Sequence, residues 1–156
     1  MDGNRIAHIF LDEKSVIRRS PQVEHERKVA IFDLLEDNEF ALCEGKDGPY
    51  SLHLSIEDNR LIFDVRREND DPIERFALPT SVFRKTVKDY FMICDSYFEA
   101  IKTKTPSQIE AIDMARRGLH NEGADLLKDR MAADVEMDKP TARRLFTLVC
   151  VLHIRA

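Results

Sequence analysis

The chain has 156 residues, 43% of them hydrophobic and 34% charged, with a formal net charge of -5. That balance fits one soluble globular domain over residues 1–156, long enough to bury a core without metal or disulfide staples, rather than a disordered or membrane class. The longest apolar run, residues 148–152, is far short of a membrane span, and Met1-Asp2 opens no apolar leader, so no membrane association is expected.

Charge is unevenly spread: residues 1–78 carry 11 basic and 18 acidic side chains, residues 79–156 carry 13 and 11. Neither half has the basic footprint of a nucleic-acid binder, so nucleic acid is not an expected partner. Three cysteines, Cys43, Cys94 and Cys150, are odd in number and set among apolar residues. They suit reduced core thiols, and hence a cytoplasmic location.

The apolar period changes from about 2 to about 3.6 at Pro79, which predicts an α+β fold: a small antiparallel sheet with an N-terminal helix in residues 1–78, then a three-helix half in 79–156. Residues 6–11 alternate as a first strand. Ser20 and Pro21 then read as cap and first position of a helix to about Asp37 that buries Val23, Ala30, Ile31 and Leu34 until Asn38 ends it. Residues 40–43 are expected to join the same sheet.

Residues 50–56 and 61–65 form a predicted hairpin, and a two-residue Asp58-Asn59 turn sets its register. Ile56 then faces Leu61, Leu54 faces Phe63 and Leu52 faces Val65 on one buried side. His53 falls opposite Asp64 on the other, where an exposed sheet pair is a better reading than an acid-base pair. Residues 73–78 are the next strand.

Phe83, Val87, Tyr90, Cys94, Tyr97 and Ile101 recur at helical steps, with Phe91 and Phe98 widening the apolar arc, so this helix is expected to be central. Thr105 and Gln108 then write a capping box for a helix from Pro106 to about Ala132. Asp138 and Pro140 open the last helix, whose residues 146–154 are apolar on nearly every side. Its β-branched content also suits a buried strand, although helix is preferred, and so large an apolar surface needs either the core or a twin chain in a homodimer to cover it.

Phosphate loops, nucleophile elbows and Cys-x-x-Cys pairs are absent from the sequence. His120-Asn121-Glu122 matches only half of a zinc deaminase signature, and the five histidines fall in five different predicted elements, so no metal and no cofactor are expected. One helix departs from a plain structural pattern. Ile112, Ala115, Leu119 and Leu126 define its apolar stripe, and Arg116 and Gly123 fall on the flank with His120 at the edge. An arginine there must snorkel, pair with a carboxylate or bind an anion. Arg116, His120, Asn121, Glu122 and Gly123, with nearby Asp113, are therefore the candidate anionic site, catalytic residues being unassigned. The competing structural reading pairs Arg116 with an acid such as Asp89 or Asp113 and gives Gly123 to close helix packing. A further alternative lets Gly118 and Gly123 interrupt the helix and turns residues 120–123 into a recognition loop.

Val23-Glu24-His25-Glu26-Arg27, Gly118-Leu119-His120-Asn121-Glu122-Gly123 and the runs 87–94, 109–114 and 142–150 resemble a family of small alphaproteobacterial proteins of unknown function. The resemblance covers nearly the whole chain and implies a free-standing bacterial protein, and it carries no catalytic residue to these positions. Two functions follow from the residues themselves. A non-enzymatic interaction or regulatory module is favoured by the missing catalytic motifs, the charge-rich faces and the apolar last helix. The alternative is a binder of, or enzyme for, a small anionic metabolite acting through Arg116 and His120.

Overall fold

The computed structural model describes residues 3–12 and 21–153. Its elements are β1 (Ile6–Leu11), α1 (Pro21–Glu36), β2 (Phe40–Leu42), β3 (Tyr50–Glu57), β4 (Arg60–Arg67), β5 (Pro72–Pro79), α2 (Ser81–Thr103), α3 (Pro106–Met131), β6 (Val135–Met137) and α4 (Lys139–His153). The expected α+β class holds. Ser20, the expected cap of α1, lies outside the described residues.

The sheet runs β1-β3-β4-β5. Its last three strands are antiparallel, while β1 lies parallel to β3, a pairing open to it because α1 and β2 intervene. The hairpin has the predicted register, with Leu52 opposite Val65, Leu54 opposite Phe63 and Ile56 opposite Leu61. Asp58 and Asn59 both hold positive φ, 51° and 60°, as a two-residue turn matched to strand twist requires. His53 and Asp64 are register partners on the outer side, but Asp64 accepts two bonds from Arg66, and the carboxylate in ion-pair range of His53 is that of Asp70 at 3.6 Å.

Asn38 ends α1 by standing in for a peptide group. Its Nδ2 donates to the carbonyls of Leu34 and Ile6, and its Oδ1 accepts from the Ile6 amide, which ties α1 to β1. Arg5 and Arg144 donate to the carbonyls of Leu35 and Asp37, supplying the positive charge that the acidic end of α1 lacks. Around this end lies an open hollow edged by Glu36, Asp37, Glu39, Glu136 and Asp138.

Three expectations are corrected. Strand β2 does not join the main sheet; it pairs antiparallel with β6, a three-residue strand too short to show a period, and Phe40, Leu42, Val135 and Met137 are buried there. Helix α2 is not central, because it packs mainly on α3, and Ile101 on its apolar stripe is 50% exposed where the stripe outruns the body. The central helix is α4, which meets α1, α2, α3 and β3 and buries every residue from Leu145 to His153. The chain itself covers that apolar surface, so the ground for a twin chain at α4 is gone.

The capping box of α3 is present, with Gln108 N donating to Thr105 Oγ1 and Gln108 Oε1 accepting from Thr105 N. The helix is uninterrupted, so residues 120–123 are not a loop. Its buried side is Gly123, Ala124, Leu127 and Met131; Ala115 of the predicted stripe is exposed, because only the second half of α3 reaches the core.

Gly123 sits against the ring of Phe146 on α4, and a Cβ at this position would overlap the ring. Gly123→Ala should therefore lower stability by about 1–3 kcal/mol through overpacking, although alanine gains about 1 kcal/mol in helix propensity. Urea unfolding measures it, and Phe146→Leu in the same chain should return part of the loss.

Candidate functional site

Arg116 points from α3 toward α1 and α2. Its Nη2 and Nε donate to Asp113 Oδ1 at 2.7 and 3.1 Å, its Nη1 lies 3.9 Å from Glu26 Oε1, and its guanidinium carbon stands 4.8 Å from the centre of the Tyr97 ring. The side chain is 25% exposed. Asp113 also meets Arg117 at 2.6 Å, and the bond from Arg116 holds its carboxyl below the usual range. Burial is the largest single influence on Arg116 and would lower its pKa, but the bond it donates to Asp113, together with the fields of Tyr90, Asp113 and Cys94, outweighs burial and keeps the cation favoured. Of the two acids proposed from sequence, Asp113 takes the guanidinium, while Asp89 pairs with Lys85 instead.

His120 is turned toward α4, where its Nε2 lies 2.8 Å from the Arg143 carbonyl and 2.9 Å from Thr147 Oγ1. A carbonyl can only accept, so Nε2 carries the proton of a neutral ring. Burial pulls the pKa of this ring down to about 4, against the Arg143 carbonyl that would raise it. The rings of Tyr90 and Phe146 enclose it, with centroids at 5.4 and 6.1 Å. Arg116 and His120 thus serve different neighbours. Asn121 is half-buried, Glu122 is exposed, and Gly123 faces Phe146, so these three do not gather round the guanidinium.

The structure adds residues that the sequence pattern passed over. Beside the Arg116 cluster, α1, α2 and α4 enclose a shallow groove whose walls include Val23, Phe91, Cys94, Phe98 and Val151, with Glu26 and Asp95 at its rim. Tyr90, Thr147 and Cys150 also line it. Burial pushes the Tyr90 phenol well up, the Cys94 thiol up to about 11 and the Cys150 thiol well above its usual value. These groups stay protonated near neutrality and offer neither a base nor a thiolate. The recurrence of Tyr90, Cys94 and Tyr97 was visible as a helix stripe; Glu26, some 90 positions before Arg116, had no local signal.

All three cysteines are free thiols. Among the described residues, no group of three His, Cys, Asp or Glu is placed to hold a metal ion, and no helix is long and apolar enough to cross a membrane.

The folded value for His120 lies below the ordinary 6.5, so the unfolded chain takes up this proton first as pH falls. Stability is full above about pH 6.5 and should decline toward pH 4, by at most about 3 kcal/mol from this ring. Buried His153, also shifted down, adds in the same direction. Urea titrations across that window should show a flatter decline for His120→Gln. Arg116→Ala should cost about 1–2 kcal/mol, less than a fully buried pair, because the cation is partly solvated and Asp113 keeps Arg117.

The Uncharacterised protein family (UPF0262) matches residues 3–155. A UPF0262 protein of Paramagnetospirillum magneticum is 59% identical over 151 residues, covering 97% of this chain and 96% of that one. One from Rhodospirillum rubrum is 58% identical over 154 residues, at 99% and 95% coverage, and one from Erythrobacter litoralis is 52% identical over 159 residues, at 99% of both. These relatives come from alphaproteobacteria, as the resemblance implied, and their names state no activity. No solved structure matches. The chain belongs to the UPF0262 family.

Proposed function

We propose that this UPF0262 protein is a non-enzymatic interaction module of the bacterial cytoplasm, the compartment that its three free thiols suit. The observation that carries this reading is the apolar stripe of α2, which runs out of the groove past the edge of the body. Phe91 and Phe98 are half-buried and Ile101 is exposed, with no described element covering their outer sides. Exposed Asp95 at the edge of the groove matches a partner segment that carries an apolar anchor beside a basic residue. The phenol of Tyr90 and the thiols of Cys94 and Cys150 in the groove are held protonated, which suits docking better than acid-base work.

The alternative, an anionic metabolite held by Arg116 and His120, is supported by the cation at the groove's edge. It asks more of the ligand, which must take the guanidinium from Asp113 and Glu26 and receives no charge from a neutral His120.

A photo-crosslinking residue at position 101, in alphaproteobacterial cells, should yield one discrete protein adduct that a probe at exposed Arg130 does not. The purified partner should then bind Phe98→Glu at least about tenfold more weakly than the wild type, a loss of about 1.4 kcal/mol. Stabilisation by a phosphorylated or carboxylated metabolite, lost in Arg116→Ala, would favour the alternative.

A further inference from the structure

Helix α1 is apolar on two sides. Ala30 and Leu34 are buried against the body, yet Phe32 is 64% and Val29 40% exposed on the opposite side, and His25, Lys28 and Glu36 around them are exposed as well. A solvated outer face has no need of a phenylalanine and a valine one turn apart.

The order of residues on this face is symmetric. The midpoint of Val29 and Phe32 is also the midpoint of His25 and Glu36, which lie about 8 Å to either side of it along the axis. Eleven residues are close to three full turns, so His25 and Glu36 share one line down the helix, within about 20°. Val29 and Phe32 fall just to the left and right of that line.

We infer that two copies of this chain associate through the outer face of α1, antiparallel about a two-fold axis through that midpoint. The rotation places Phe32 beside the second copy's Phe32 and Val29 beside its Val29. It also sets His25 against the second copy's Glu36 at one end and Glu36 against its His25 at the other, so one patch supplies both halves of each pair. The imidazole can donate to that carboxylate in either protonation state. One helix face is well below the roughly 800 Å² per partner of a standard interface, which places the association in the weak class. This face lies on the far side of α1 from the groove, so the inference stands apart from the proposed function.

Sedimentation equilibrium of the full chain up to about 200 µM tests it, a range that resolves dissociation constants of tens of micromolar. The wild type should approach twice the 18.1 kDa of one chain. Phe32→Glu should raise the dimer dissociation constant at least about tenfold, and Glu36→Lys about threefold. The exchange His25→Glu/Glu36→Lys should return it to within about twofold of the wild type, because each new pair sets a lysine against a glutamate. Circular dichroism melts confirm that the variants fold, since the substituted side chains lie outside the core. A wild type that stays monomeric at about 200 µM, a dimer indifferent to Phe32→Glu, or an exchange variant no better than Glu36→Lys would each overturn the inference.

Discussion

The ring of Phe146 fills the space that a side chain at position 123 would need. That contact sets how near α3 comes to α4, and much of the molecule follows from the distance. With the two helices this close, His120 reaches the Arg143 carbonyl and Thr147 one turn away, and Tyr90 closes over both rings from α2. Leu127 and Met131 continue the same seam toward β6, so the small second sheet is held by the packing that the glycine permits. A helix costs about 1 kcal/mol to carry glycine in its interior, and close packing is the return.

The same economy of space governs the charges. Arg116, Asp113, Arg117 and Glu26 form a connected set in which each carboxylate has a cationic neighbour, partly sheltered from water and laid over the Tyr97 ring. Such a set fixes the spacing of α1, α2 and α3 at the level where the hairpin of α2 and α3 leaves the body. The groove beside it is left with apolar walls and protonated thiols, which makes it a place for contacts rather than proton transfer.

Local rules were legible in the sequence wherever neighbours along the chain were also neighbours in space. The Asp58-Asn59 turn fixed a hairpin register, Thr105 and Gln108 fixed a helix start, and the stripe from Phe83 to Cys94 fixed the buried side of α2. What escaped depends on distant partners. The three residues of β6 have no period of their own and become a strand only because β2 lies alongside. Ile101 carries the right pattern for burial, but the body ends before it. At the candidate site, periodicity showed that Arg116 must meet an acid or an anion, and the acid proved to be Asp113, three residues away on the same helix. Glu26 arrives from a helix whose placement only tertiary packing decides.

The position of α4 in the chain has a consequence for synthesis. A ribosome finishes every other described element before it makes residues 139–153, yet α1, α3 and β3 all bury apolar surface against those residues. β2 likewise waits nearly a hundred residues for β6. During translation the β3-β4 hairpin and the pair of α2 and α3 can form on local contacts, but their inner faces stay wet until α4 has emerged. Nascent chains of this protein therefore keep apolar faces exposed until late in translation, and truncations within residues 139–153 should yield aggregation-prone fragments rather than smaller folded domains.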